Sequence, residues 1–515
     1  MLSVGSCGHH TLPQAEPADN WTYKAEGAIN VVFTYTGPNP LFQHRVLRVP
    51  KSRAERAPSR SRSKTFRARM ANTNLACTLG LSSDPDTYAK ETIAPFLGSR
   101  FFGHTVRLRV PSWYLEAAAR RLNSPKLARL RPPHRLANGI DITAACVTLM
   151  DDYTLGWFDT DGADGPPASP VLAVEVKPKC GFRPTSSALR FEVKRRVCRY
   201  HMHQHVKYAS GSIRRVSNYC PVRLLQGDAD MCLWAVCTLC EDPQNNLRVF
   251  RDGAVVYDGA VLQSVGCQGS GVPYLRGVLQ STMCEGVEGD DVHTADFVFA
   301  QVVAFAIHRE AGLRRRLLAT QALDCDVEHL MPIVEAALSR GKWTTEVRIR
   351  MVSRWRRTAG QLARLTCPLL LQESHLARNF LIATTTKDLS LMLTFQLYQR
   401  TRRDVPETTG TPRFHDVPLA ELPEGVREAM LHHWSQSRGR VAPEQHLYLR
   451  YAVSVLDADP KDLARLPKYL KLDAEVAGSY EKAELLAGGE PALADEEVCG
   501  CSSCVLHPCR CDMKD

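Results

Sequence analysis

No apolar run in the 515-residue chain approaches the roughly 20 residues that a membrane-spanning helix requires. The longest, Phe297 to Ile307, is interrupted by Gln301 and reads as a buried helix. Met1 to His10 lacks a basic segment leading into an apolar stretch, so no secretory signal is expected and the protein is placed in the cytoplasm, the nucleus or both. No internal repeat is present. The 18 cysteines are scattered rather than spaced as a framework, which favours free thiols near the core over a disulfide scaffold. Hydrophobic residues are not lacking: at 44% of the chain they argue for a globular core rather than disorder.

What is present in excess is positive charge. The formal net charge of +10 predicts an anionic partner without separating nucleic acid, acidic membrane and phosphorylated metabolite. Eight basic residues against one acidic, with Ser and Pro, fall between Lys51 and Arg69, as expected of a mobile surface loop. Before it, Val31 to Tyr35 and Arg45 to Val49 alternate across Gly37-Pro38-Asn39-Pro40, predicting a β-hairpin. Helical spacing follows at Tyr88 to Leu97, then a strand at His104 to Val110, a helix at Trp113 to Leu122 and a strand at Ala144 to Met150. The Gly/Asp/Pro-rich connection from Asp151 to Pro170 marks a lobe boundary. Beyond it, strands at Val171 to Val176, Leu247 to Phe250, Leu391 to Gln396 and Leu447 to Leu456 mix with helices at Phe297 to Thr320 and Val327 to Leu338, an α+β pattern. The expected division is 15–155 for the first lobe, with 51–75 as a disordered basic loop, 156–474 for the second lobe, and 475–515 for a disordered Cys-rich tail.

Candidate chemistry begins at Ala25-Glu26-Gly27-Ala28-Ile29-Asn30, a turn whose small residues let backbone N–H groups approach phosphate oxygens, or simply a tight hairpin. Further on, Glu175-Val176-Lys177-Pro178-Lys179 puts three charges on one side of an extended strand. The apolar Val171-Leu172-Ala173-Val174 leads into it, so its charged end is expected at a rim of the core.

With Gly181, Phe182 and Pro184 in place, Glu175 to Pro184 resembles the signature of the inositol-pentakisphosphate 2-kinase family. Other segments resemble that family in the same order: Tyr23 to Asn30, Pro40-Leu41-Phe42 with Val46 to Val49, Arg199 to Lys207, Pro243 to Phe250, Leu381 to Ser390, and Asp457, Lys461, Arg465, Tyr469 and Lys471 to Asp473. The resemblance implies a two-lobed, protein kinase-like inositol phosphate kinase fold with antiparallel sheets in both lobes. It also implies an enzyme, expected as a monomer, that phosphorylates the 2-hydroxyl of inositol 1,3,4,5,6-pentakisphosphate with ATP and Mg2+.

In that frame Asp388 accepts the proton of the attacking hydroxyl, Lys177 steadies the phosphoryl group and Asp457 holds Mg2+. By residue type alone, Asp388 following Thr384-Thr385-Thr386 reads rather as a helix N-cap. Glu26, Gly27, Ala28, Asn30 and Arg48 are expected at the nucleotide phosphates, backbone groups of Asp151 to Tyr153 at the adenine edge, and Glu175 at the nucleoside. A pentakisphosphate carries on the order of ten negative charges, so many convergent donors are needed. The resemblance supplies Arg53 and Arg135 from the first lobe, and Lys179, Arg199, His203, Lys207, Asn246, Arg248, Lys461, Arg465 and Tyr469 from the second.

Departures from the family pattern are specific. Ala28 stands where the family has a second Gly, which stiffens the nucleotide turn. Tyr219 to Leu224 loses both acidic residues of the matching segment, and only Cys367 remains in Leu338 to Leu376, where some plant members have a zinc-binding Cys-x-x-Cys. The tail residues Cys499, Cys501, Cys504, His507, Cys509 and Cys511 fit either structural zinc or free thiols. Two other functions are open at this point: nucleic-acid binding through Lys51 to Arg69, where Phe66 is the only interleaved aromatic, and a catalytically inactive inositol-phosphate sensor.

Overall fold

The computed structural model describes residues 10–11, 17–27, 29–52, 79–129, 131, 135–155, 169–260, 272–283, 295–339, 368–399, 414–438 and 447–486. Strands β1 (His10–Thr11), β2 (Trp21–Glu26), β3 (Asn30–Tyr35), β4 (Arg45–Pro50), β5 (Thr105–Arg109) and β6 (Cys146–Asp151) build the first sheet. Its order is β1-β5-β6-β4-β3-β2, antiparallel throughout except that β1 joins β5 in parallel. Period-two alternation turns Val31, Phe33 and Tyr35 of β3 inward, where Tyr35 meets Trp21 edge-on at 5.0 Å between ring centroids. The helix Ser112–Leu122 closes this core with Leu115, Ala118 and Leu122, spaced by three and four residues. Leu115 is fully buried, and its replacement by alanine would cost about 2–5 kcal/mol through lost burial and an unfilled cavity.

The second sheet holds β7 (Leu172–Val176), β8 (Leu247–Arg251), β9 (Ala254–Asp258), β10 (Ser390–Gln399), β11 (His415–Pro418) and β12 (Leu447–Leu456), all antiparallel in the order β11-β12-β10-β7-β8-β9. Central strands β7 and β10 are buried on both faces, which is why both read as near-continuous apolar runs. Between the sheets, Val46, Met150 and Tyr153 of the first lobe pack on Ala173, Phe250 and Met392 of the second. Beside that cluster the Lys24 ammonium is buried against Asp152 and Thr154, each at 2.6 Å. The fold is therefore α+β and two-lobed.

Four sequence expectations need correction. Residues 79–101 lie within the first-lobe stretch, yet Leu79, Leu81, Tyr88, Ile93, Leu97 and Phe101 join the core of the second lobe, and the Tyr88 hydroxyl lies 3.2 Å from that of Thr385. An apolar helical face is satisfied by whichever core it reaches, and sequence order does not choose between them. The single helix expected over Phe297 to Thr320 is two, Ala295–Arg309 and Ala311–Gln321, parted at Glu310, whose carboxylate Arg100 and His415 hold. The helix Leu466–Leu486 continues past 474, burying Val476, Ala477 and Tyr480, so the tail does not begin at 475. Lys51, the first residue of the expected mobile loop, is buried against Glu26.

Residues 53–75 of the basic segment lie outside the described residues, Arg53 among them, as do Ala28, Cys367 and the Cys-rich tail. The eight described cysteines are not joined in disulfides, and five of them are buried. No helix among the described residues is long and apolar enough to cross a membrane.

Candidate active site

Sheet register brings the charged residues to one edge. Met392 lies opposite Glu175, Glu175 opposite Arg248, and Ser390 opposite Leu456. The end of β7, the start of β10 and the end of β12 therefore share a rim, and Lys177, Asp388 and Asp457 flank those strand ends. Lys177 Nζ lies 3.2 Å from Asp457 Oδ2 and 3.6 Å from Glu175 Oε1. The Ser390 hydroxyl donates to Glu175 at 2.8 Å. From β4 in the other lobe, the Arg48 guanidinium reaches to 3.7 Å from Asp457 and 3.8 Å from Asp459. Arg248 is shared between Glu175 and Asp258, at 3.2 and 2.8 Å.

Asp457 sits in the left-handed region at φ +58°, a conformation that Asp tolerates better than most residues. Burial opposes its ionisation, but Lys177 and Arg48 hold its carboxyl below the usual carboxylate range. Its neighbour Asp459 is pushed up, by burial and then by the Asp457 charge, despite Arg48.

Asp388 follows the C-terminal end of the helix Pro368–Thr386, with its amide donating to the Thr385 carbonyl at 3.0 Å. The N-cap alternative is thus excluded. Its side chain is 58% exposed, and Lys461 at 2.7 Å and Lys179 at 3.7 Å hold the carboxylate. Those cations outweigh burial and keep it ionised below the ordinary range. The three-charge strand face also needs revision, because β7 ends at Val176 and Lys179 adopts φ +62°. Strand alternation places Glu175 and Lys177 together, while a left-handed turn delivers Lys179. Burial pulls Lys179 down to about 8, with Asp388 resisting.

The helix Arg199–Ala209 adds Arg199, His203 and Lys207. His201 and His205 pack against Tyr480, whereas His203 lies among cations: burial and then Lys207, Arg199 and Lys179 lower it to about 4. Lys207 donates to Gln244 at 3.3 Å, and Arg199 pairs with Asp473. Tyr469, on the helix after Lys461, lies near enough to Arg465 and Asp388 to sense both charges, with burial the main cause of its raised phenol.

Several expected contacts are committed elsewhere. Glu26 is fully buried, with its two oxygens taken by Lys51 and by Arg131 Nε and Nη2 at 2.7 and 3.1 Å, so its carboxylate braces the lobe and does not face a nucleotide. Gly27 donates its amide to the Asn30 carbonyl at 2.9 Å, closing the turn. The Asp151 carboxylate holds Arg45 and the His104 amide, the Asp152 amide serves His44, and the Tyr153 carbonyl accepts from Thr394 at 2.6 Å. Asn246 is 1% exposed, donating to the Tyr200 hydroxyl at 2.9 Å and accepting the Lys177 amide on its carbonyl, so its side chain supports the site from behind. Arg135 stays with the Glu26 cluster, where its carbonyl accepts from Arg131. Glu175 is a hub for Lys177, Arg248 and Ser390.

Residue-by-residue reading missed Asp459 and Ser390. Asp459 was within reach, since Asp457-Ala458-Asp459 is a paired-carboxylate pattern beside a strand end. Asp326, Glu328 and Asp473 form a second acidic cluster, but the Lys194 ammonium occupies its centre at 2.6, 3.3 and 2.6 Å, balancing the charge from within.

Comparison with known proteins matches the sequence of this chain to named relatives. The sequence model of the family described as inositol-pentakisphosphate 2-kinase matches residues 23–475. An inositol-pentakisphosphate 2-kinase of Oryza sativa subsp. indica is 28% identical over 490 residues, covering 92% of this chain and 96% of the relative. That of Arabidopsis thaliana is 27% identical over 487 residues, covering 91% and 95%. That of Danio rerio is 31% identical over 239 residues, covering 46% of this chain and 44% of the relative. Spanning both lobes and the charged residues of the site, the family match shows that this chain belongs to the inositol-pentakisphosphate 2-kinase family.

Proposed function

We propose that this chain transfers the γ-phosphoryl group of ATP to the 2-hydroxyl of inositol 1,3,4,5,6-pentakisphosphate, giving the hexakisphosphate. The observation that carries this reading is the exposed Asp388 carboxylate, gripped by Lys179 and Lys461 where the Lys177–Asp457–Arg48 cluster meets the cationic helix Arg199–Ala209. One side of Asp388 suits nucleotide phosphates and the other a polyphosphorylated ring.

Phosphoryl transfer depends mainly on positioning and charge neutralisation. The 2-hydroxyl oxygen attacks the γ-phosphorus as the bond to the bridging β,γ-oxygen breaks. Asp388 takes the hydroxyl proton, and ADP departs with the bridging oxygen. Lys177 and Arg48 neutralise the charge of the transferring group, while Lys179, Lys461, Arg199, His203, Lys207, Arg465 and Tyr469 receive the ring phosphates.

Mg2+ fits Asp457 and Asp459, because the donors are hard carboxylate oxygens, and Asp459 is pushed up first by burial and then by the neighbouring Asp457 charge, despite Arg48. When bound there, it would supply charge neutralisation at the nucleotide phosphates. Turnover of pentakisphosphate with Mg-ATP, measured beside binding, tests the proposal. Binding without turnover would favour the inactive-sensor alternative.

A further inference from the structure

We propose that Gln321 is a positioning residue of the phosphoryl-transfer site, holding the Lys179 turn in register with Asp388. The inference rests on the reading above that Lys179 and Asp388 act in the reaction. Gln321 is the last residue of the helix Ala311–Gln321 and is 0% exposed. Its Oε1 accepts the Gly181 amide at 2.9 Å. Its Nε2 donates to the Lys179 carbonyl at 2.9 Å and to the Thr386 carbonyl at 3.1 Å. One carboxamide thus uses both N–H groups and its oxygen to join the turn carrying Lys179 to the helix end from which Asp388 emerges.

The geometry needs such a clamp. Lys179 is held at φ +62°, a conformation that a lysine does not favour and that surrounding contacts must maintain. Lys179 must also stay near Asp388, although the β7–β10 ladder ends at Val176 opposite Leu391, short of both residues. A second grip comes from the same stretch of chain: Asp324 pairs with the half-buried Lys387, whose ammonium lies 4.9 Å from the centre of the Phe182 ring. Gln321 and Asp324 therefore hold both sides of the Lys179–Asp388 gap. Neither touches the space in which substrate would sit, so their effect passes through those two residues.

Chemistry dictates the variants. Gln321→Met keeps the length but loses every hydrogen bond, and Gln321→Glu cannot donate to either carbonyl. Each is made alone and with Lys179→Ala, and kcat, KM for ATP, affinity for inositol hexakisphosphate and thermal midpoint are measured. Both single variants are expected to lose about 10- to 100-fold in kcat with KM for ATP changed less than about twofold, because misplacement near the reacting groups acts on the transition state. Hexakisphosphate affinity should fall as well. Each loss should add only in part to that of Lys179→Ala, since Gln321 acts through Lys179 as well as through Asp388. A lowered midpoint with unchanged kcat and affinity, or full additivity with Lys179→Ala, overturns the proposal. If the Gln321 variants do not fold, Asp324→Asn tests the same clamp: a fall in kcat supports it, and unchanged kcat and affinity contradict it. Absence of turnover in the wild type would overturn the functional reading alone, and hexakisphosphate affinity would still decide the role of Gln321.

Discussion

The Lys461 ammonium donates to the Asp388 carboxylate at 2.7 Å, joining residues 73 positions apart. With Lys179 on the other oxygen, the carboxylate is ionised but restrained, because both cations stabilise its charged form. A polyphosphate that draws those cations toward itself leaves Asp388 more basic at the moment it must accept a proton.

Asp388→Asn preserves shape and removes the proton acceptor. Its kcat is expected to fall about 10²- to 10⁴-fold, the range for a positioned general base. Binding of inositol hexakisphosphate should persist or tighten, since a negative charge leaves a site built for phosphates. Steady-state kinetics and calorimetry check the two together, and weakened binding with intact turnover contradicts the assignment.

Substrate binding should take up protons. Before binding, His203 is lowered to about 4, by burial and by the cations Lys207, Arg199 and Lys179, and a bound polyanion reverses that field. Near pH 6 the histidine is neutral when free and gains a proton on binding. Lys179, at about 8 when free, adds a second window between that value and its ordinary range near 10.5. Calorimetry in buffers of different ionisation enthalpy reads the uptake. His203→Gln should abolish the acidic window and leave the alkaline one, and an unchanged acidic window contradicts the placement of His203.

Glu26→Gln should destabilise the first lobe rather than remove nucleotide contacts. It leaves Lys51 and Arg131 buried without their counter-charge, at a cost of about 3–5 kcal/mol. Burial pushes Glu26 up, but hydrogen bonds from Arg131 and Lys51 bring it below the ordinary value. Its stabilisation is therefore present above the unfolded-state value and lost as pH falls through the lower folded-state value. Thermal unfolding across acidic pH should show a steeper loss in the wild type than in the variant. An unchanged midpoint near neutral pH contradicts this role.

Asp459→Asn should raise the Mg2+ concentration that half-saturates activity by about tenfold or more, as loss of a carboxylate at a metal site does. Titration of Mg2+ at saturating ATP checks it. An unaltered Mg2+ dependence would leave Asp457 without this partner.

Much of the fold was legible because period and punctuation carry it. Val31, Phe33 and Tyr35 alternate as a half-buried strand must, and Asp84-Pro85-Asp86 announces a helix start, with Asp84 accepting from the Thr87 amide at 3.0 Å. The lobe membership of residues 79–101 was not legible, because an apolar stripe does not name its partner. At the site, the positions of Lys177, Asp388 and Asp457 follow from strand ends meeting at one rim. The diversion of Glu26 and Asn246 into buried hydrogen bonds depends on neighbours far away in sequence, Arg131 and Tyr200. Gln321 left no sequence signal, since its three partners are backbone groups that any residue type supplies.

The most direct test of the central claim is incubation of the purified chain with Mg-ATP and inositol 1,3,4,5,6-pentakisphosphate, following ADP and the inositol product together. The account predicts one hexakisphosphate formed for each ADP, and loss of both products in Asp388→Asn. Full activity in that variant, or no transfer to the 2-hydroxyl by the wild type, would contradict it.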